Sequence, residues 1–178
     1  TPVSATKAFL ALALLPLLIV ALSGTAIYFN LSSQTEQEAR AHSENISKLL
    51  AGQVSAFVRN KADAVNLMAN HNLIQSVLIN SKRVTPNDVK PELQRFCSTL
   101  GASICYLMDK EGLAIADNRP VETSIVGNNY GFRPYFQQAV VGNDSVHLAL
   151  GVTTKKRGIY FSSPVFDKEK VIGVAVIK

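Results

Sequence analysis

The first third of the chain carries two hydrophobic patterns, and each predicts helix. Residues 8–29 contain no charged side chain and consist mainly of Leu, Ala, Ile and Val. A run of this length can cross a bilayer as a helix, and Lys7 before it favours a cytoplasmic N-terminus. The run also fits a signal peptide cleaved after the small residues 24–26. A buried core helix is a third interpretation, which the length disfavours. The first two interpretations both place the rest of the chain outside the cytoplasm.

A long amphipathic helix is predicted from about residue 32 to residue 69. This segment has no proline, and its apolar residues recur at the spacings of one helix face: Ile46, Leu50, Val54, Phe57, Val65 and Met68. The stripe either packs entirely on its own domain or, along the early turns, also forms a parallel dimer contact. Two shorter helices are predicted next, at residues 73–80 and 86–100. The second begins with Thr85, Pro86 and Asp88, a typical helix start.

From residue 103 the period becomes that of strands. Residues 104–108 and 113–116 flank a tight turn and predict a hairpin. A polar loop and a helix between Arg133 and Gly142 follow, and then three more strands, at residues 146–152, 158–166 and 171–177. Short turns join only antiparallel neighbours, so the order predicts an α+β fold with a five-stranded antiparallel sheet. The expected divisions are an anchor or signal peptide (1–30), a helical part (31–101) and a sheet part (102–178).

Composition and chemistry exclude several function classes. The 178 residues have a formal charge of +5, but the 18 lysines and arginines are scattered and form no stripe for nucleic acid. Ser162 and Ser163 have no obvious histidine partner that could act as a base, because two of the three histidines lie in the helical region and the third is isolated in a strand. We therefore expect no catalytic residue, metal or cofactor. Cys97 and Cys105 can pair in an oxidising compartment or remain buried thiols; we expect them to be mostly unpaired.

A cation among aromatics marks the candidate site. Arg133 stands within Tyr130, Phe132, Tyr135 and Phe136. Pro134 suits the first turn of a helix, which places Arg133 at a helix entrance, where anions bind. Lys178 ends an otherwise apolar face of the last strand. Each cation also has an ordinary interpretation: Arg133 as an ion pair or aromatic stack, and Lys178 as a solvated strand end.

Three motifs in order carry a resemblance to a known family: NYGFRPYFQQAVVG, LALGVTTKKRGIYFSSPV and VIGVAVIK. Over residues 104–178 the chain resembles the periplasmic sensor of DctB-type histidine kinases, which belongs to the double Cache superfamily of PAS-like domains. The resemblance implies a PAS-like pocket for a small dicarboxylate such as succinate, malate, fumarate or malonate. It implies that Arg133 and Lys178 hold carboxylates and that Thr153 and Ser162 donate hydrogen bonds. Tyr130 and Tyr135 would shape the pocket.

The resemblance also implies a receptor in the bacterial inner membrane, with this domain in the periplasm and a homodimer formed through the long helix. The family continues into a second Cache module, a second membrane helix and a transmitter, so we expect the chain to be a fragment. A chemoreceptor or a diguanylate cyclase is an alternative output, with another organic acid or an amino acid as ligand. Amino-acid sensors of this superfamily carry a late acidic residue where IYFSSPVF offers serines, which disfavours that ligand. A ligand-free dimerisation module is the remaining alternative.

Overall fold

The fold comes from a computed structural model that describes residues 2–79, 84–152 and 155–178, without the side chains of most residues before 42. The chain forms two compact units, Thr1–Gln53 and Val54–Lys178. Its helices are α1 (Pro2–Ala69), α2 (Asn72–Ile79), α3 (Pro86–Leu100) and α4 (Pro134–Val140). Its strands are β1 (Cys105–Asp109), β2 (Ala114–Asp117), β3 (Ser145–Leu150), β4 (Arg157–Asp167) and β5 (Lys170–Ile177). A 3₁₀ turn covers Val121–Thr123.

The five strands form one sheet in the order β2-β1-β5-β4-β3. Every neighbouring pair is antiparallel. This confirms the predicted α+β fold with a five-stranded antiparallel sheet and a long N-terminal helix. β5, the last strand in the chain, occupies the centre, so the chain ends between β1 and β4.

Strand alternation divides the core into two layers, one on each face of the sheet. In β5, Ala175 and Ile177 join a cluster with Val65, Met68 and residues of α2 and α3. Val174 and Val176 point the other way, into a cluster that includes Tyr135 and other residues of α4. The helical residues that precede the sheet therefore cover one face, and α4 covers the other.

The N-terminal part of the chain lies within α1, which runs without a break from Pro2 to Ala69. Among the described residues, the structure shows no helix that combines the length and the apolar character needed to cross a membrane. The structure does not describe most side chains of the predicted anchor at residues 8–29, so the anchor stays a prediction. The divisions expected at residues 1–30, 31–101 and 102–178 stay predictions as well.

Both cysteines lie in the layer between the helices and the sheet, where they are buried and free. The Cys97 thiol donates a hydrogen bond to the Ala102 carbonyl at 3.2 Å. A hydrogen bond between the two thiols lowers the pKa of Cys97 and, together with burial, raises the pKa of Cys105. The thiols are thus close neighbours, and they are unpaired, as expected from the sequence.

Candidate ligand-binding site

A small cavity of about 30 Å³ lies on the face of the sheet that α4 covers. Three kinds of side chain line it. The cations are Arg119, Arg133 and Lys178, the aromatics are Tyr106, Tyr130, Tyr135 and Tyr160, and the remaining lining residues are Ile104, Ile125, Gly151 and Val152. No aspartate or glutamate stands among these described lining residues. The site therefore suits an anion and not a metal cation.

Arg133 is the residue immediately before α4, with Pro134 as the first helical residue. Its backbone is extended, at φ −79° and ψ 135°, as expected before a proline. The guanidinium donates from Nη2 to the Leu150 carbonyl at 2.8 Å, and its Nε is buried with no hydrogen-bond partner among the described residues. A buried donor without a partner costs free energy, so this atom is available to an acceptor that enters the cavity.

A close backbone contact fixes the segment that carries Arg133. The Tyr130 amide donates to the Gly112 carbonyl at 2.8 Å, and the Asn129 side chain donates to the Glu111 carbonyl at 3.1 Å. Gly112 has φ +85°, and a Cβ there would lie 2.4 Å from the Cα of Gly131. Only glycine fits this position. The β1–β2 turn therefore holds the start of the NYGFRPYF motif against the sheet.

Lys178 reaches the cavity by crossing a glycine. It directly follows β5, and its amide donates to the Ile104 carbonyl at 2.9 Å. Its side chain passes over Gly158 in β4, where a Cβ would lie 2.4 Å from the lysine Cε. Nζ lies 3.3 Å from the Lys156 carbonyl and 5.3 Å from the centre of the Tyr160 ring. The absence of a side chain at Gly158 thus sets the path of Lys178.

Tyr135 and Tyr160 form an aromatic wall of the cavity, which Arg133 and Lys178 both contact. Tyr135 and Tyr160 are stacked, with ring centres 4.9 Å apart and planes 3° from parallel. The Arg133 guanidinium carbon lies 5.6 Å from each of these two ring centres. Both distances are typical of cation–π contacts. Because Lys178 contacts the same Tyr160 ring, Arg133 and Lys178 lie on one aromatic surface.

The hydroxyls of Tyr106 and Tyr135 form a hydrogen bond of 2.8 Å beneath this surface. Burial, reinforced by the neighbouring tyrosines, raises the pKa of Tyr106 well above its ordinary value. Burial also raises the pKa of Tyr135, although hydrogen bonds from Tyr106 and Arg133 oppose that rise. Both phenols therefore stay neutral at physiological pH and serve as hydrogen-bonding groups.

The structure brings four of the six residues named from the sequence to one cavity: Tyr130, Arg133, Tyr135 and Lys178. Ser162 is not among the lining residues. It is fully buried, and its hydroxyl donates to the Tyr135 carbonyl at 2.8 Å, so it supports the first turn of α4. Thr153 lies outside the described residues. The role of each residue toward a ligand stays a prediction.

Sequence reasoning missed Arg119, Tyr106 and Tyr160 as lining residues. In β4, alternation puts Tyr160 on the same face as Ser162, which is a sufficient signal to find Tyr160 from the sequence. Tyr106 alternates in β1 in the same way. Arg119 lies in a polar loop with no periodic signal, and only the folded loop brings it to the cavity.

Two wider grooves elsewhere have different chemistry. One, of about 410 Å³, includes Glu92 and Arg95, which form an ion pair with each other. The other, of about 550 Å³, includes Lys110 and Glu111, whose charged atoms lie 3.6 Å apart. In both grooves a cation lies beside an acid. Of these three spaces, the small cavity is the one with cations and no acidic residue among its described lining residues.

Comparisons with known proteins show which proteins the chain is similar to. The sequence is 30% identical over 133 residues to the C4-dicarboxylate transport sensor protein DctB of Rhizobium meliloti (strain 1021), covering 74% of this chain and 21% of that protein. It is 39% identical over 79 residues to the protein of the same name from Pseudomonas aeruginosa, covering 44% of this chain and 13% of that protein. The chain thus spans about a fifth of the first relative's length. No family model matches it.

A solved structure gives the same result. The crystal structure of the V. cholerae histidine kinase DctB sensor domain matches with a TM-score of 0.62 and 27% identity, covering 71% of this chain and 51% of that one. The resemblance stated from the sequence is thereby confirmed.

The raised pKa of Tyr106 predicts a loss of stability at alkaline pH. The unfolded chain releases this proton near pH 10, its ordinary pKa, whereas the folded chain retains it. Above about pH 10 the free energy of unfolding must therefore fall as pH rises, and below it this contribution is fully present. Urea denaturation at fixed ionic strength should show a shallower alkaline fall for Tyr106→Phe than for the unmodified chain. The exposed Tyr28, changed to Phe, is the control, and equal slopes for Tyr106→Phe and the unmodified chain would contradict the assignment.

Proposed function

The chain carries a Cache sensor domain of the DctB type, and from that premise we propose that its cavity binds a small dicarboxylate. One observation supports this most directly. Arg133, at the start of α4, and Lys178, at the end of β5, approach the same cavity from separate elements. No aspartate or glutamate is among the described residues that line the cavity. Two carboxylates a few atoms apart match this arrangement of charge.

The ligand contacts follow from the donors present. A planar guanidinium can donate two parallel hydrogen bonds to one carboxylate, and the buried Nε of Arg133 has no other described partner. The Lys178 ammonium acts as a compact charge for the second carboxylate. Hydrogen bonds to charged groups contribute about 1.5–3 kcal/mol each. Succinate, malate, fumarate and malonate all carry the required two groups.

An amino-acid ligand fits the cavity less well. Its ammonium group needs a carboxylate or several carbonyl oxygens, because a charge buried without a partner is costly. The described lining instead presents three cations. Repulsion from Lys178 and Arg119 would oppose an ammonium that enters beside them. The charge of the lining therefore favours a diacid.

We extend the proposal to the longer protein of which this domain forms part. That protein is a sensor histidine kinase of a bacterial inner membrane, with this domain in the periplasm and the anchor at residues 8–29. Ligand binding shifts the domain toward the arrangement that binds it better, and α1 transmits the change. Ile46, Leu50, Val54 and Phe57 support a homodimer along α1, because they are exposed and share one helix face.

The first prediction from the proposed function tests the two-carboxylate arrangement. Arg133→Ala and Lys178→Ala should each weaken succinate binding by at least about thirtyfold, since removing one partner of a buried charged pair costs about 2–5 kcal/mol. Ser162→Ala should weaken it less, because that hydroxyl bonds the Tyr135 carbonyl. Acetate, with one carboxylate, should bind far more weakly than the diacids. Calorimetry on the whole chain, extended by a few residues beyond Lys178, measures each affinity.

Two further variants sharpen this test. Gly158→Ala should weaken succinate binding as Lys178→Ala does, because the added methyl group occupies the path of the lysine. Arg59→Gln, at an exposed position of α1, should leave binding unchanged. The arrangement is wrong if acetate binds as tightly as succinate, or if either Arg133 or Lys178 proves dispensable in a folded variant.

The second prediction concerns self-association. The whole chain in detergent should sediment as a dimer, and the double substitution Leu50→Glu with Phe57→Glu should convert it to a monomer, since two charges would enter the apolar contact. Leu148→Glu, at an exposed apolar residue of β3, is the matched control and should remain dimeric. A dimer that survives the double substitution would rule out this contact surface.

The third prediction concerns topology. Alkaline phosphatase, which is active only outside the cytoplasm, should be active when fused after Lys178. A reporter that works only in the cytoplasm should be silent at the same position. The opposite pair of results would contradict the periplasmic placement.

A further inference from the structure

Arg119 is a third cation at the cavity, and it comes from an element that neither Arg133 nor Lys178 uses. It lies in the loop between β2 and the 3₁₀ turn, and its side chain lines the cavity while remaining partly exposed. Arg133 and Lys178 lie against the Tyr160 ring. No ring contact of this kind involves Arg119 within the described part of the chain. Its charge therefore stands at the boundary between cavity and solvent.

A buried carboxylate fixes the loop that carries Arg119. Asp117 is 4% exposed, and its Oδ1 accepts the Arg119 amide at 3.0 Å. Its Oδ2 accepts the Ile125 amide at 2.6 Å and the Ser124 hydroxyl at 3.0 Å. Both Arg119 and Ile125 line the cavity. Asp117 thus fixes the backbone at both ends of the loop while leaving the guanidinium itself uncommitted.

The guanidinium of Arg119 makes few hydrogen bonds within the protein. Within the described residues its one side-chain hydrogen bond is a long contact of 3.5 Å from Nη1 to the Thr123 carbonyl. An arginine has five N–H donors, so most of these donors face solvent or the cavity. By contrast, Nη2 of Arg133 holds the Leu150 carbonyl at 2.8 Å. Arg119 is therefore free to turn toward an incoming anion.

We propose that Arg119 is a capture residue for the ligand, a cation that draws dianions into the cavity and raises their rate of association. This inference rests on the proposed function, because it assumes that the cavity takes a diacid. Charges of one sign around a cleft raise the local concentration of an oppositely charged ligand and speed its association. A charge at the rim acts mainly on the association rate and on the salt dependence of binding, whereas a buried charge acts on dissociation.

The test compares charge-removing and charge-preserving variants of the whole chain, extended by a few residues beyond Lys178, with succinate as the probe. Calorimetry is run at about 0.01 M and at about 0.5 M salt, where exposed charges are weakly and strongly screened. Stopped-flow mixing at the same two salt concentrations gives the association rate. Arg119→Gln and Arg119→Met should each lower the association rate, and with it the affinity, by about tenfold at low salt and by much less at high salt. Arg119→Lys should retain most of the affinity. Arg59→Gln removes the same charge from an exposed position outside the cavity and should change neither value.

The outcomes distinguish a failure of the Arg119 inference from a failure of the proposed function. If Arg119→Gln and Arg119→Met bind succinate as tightly as Arg59→Gln does, the inference is overturned and the proposed function stays intact. A loss that is equal at both salt concentrations, and equally large in Arg119→Lys, would also overturn it, because shape and not charge would then be responsible. Failure of the unmodified chain to bind any diacid would instead overturn the proposed function.

Discussion

The position of β5 at the centre of the sheet is the constraint on which the rest of the structure depends. β5 pairs with β1 on one side and with β4 on the other. This pairing sets Val176 opposite Tyr106 in β1 and opposite Ser162 in β4. A slip of one residue would exchange the two faces of every strand involved. Lys178 would then point toward α2 and α3, and the tyrosines would leave the face that α4 covers.

The cationic lining raises the question of what offsets the repulsion between like charges in a small space. The Arg133 side chain donates a hydrogen bond to the Leu150 carbonyl, and the Lys178 side chain donates one to the Lys156 carbonyl. Each also lies on a tyrosine face. A cation–π contact contributes about 0.5–2 kcal/mol, depending on how far the charge is desolvated. Contacts with neutral carbonyls and rings thus compensate a positive charge in part.

Much of the fold followed from the sequence because each element has a local signal. The predicted helices after residue 70 and all five strands lie close to their observed bounds, since alternation and turn residues mark them. The convergence of Arg133 and Lys178 was implied by the family resemblance. Pro134 and the apolar face that Lys178 ends marked the two cations only as candidates. The position of Arg119 was not accessible, because it depends on hydrogen bonds that Asp117 accepts across a loop without periodicity. The role of Ser162 depends on how closely α4 approaches β4, which strand alternation alone does not determine.

The cavity volume has a consequence for how a receptor of this kind responds. About 30 Å³ is room for one or two water molecules. If a ligand binds only a wider arrangement of the same side chains, its measured affinity equals the intrinsic affinity reduced by the fraction of molecules already wide. A high affinity for the ligand and a large change of shape on binding are thus opposed. A substitution that held the cavity wide would tighten binding and would also remove the change of shape that reports the binding.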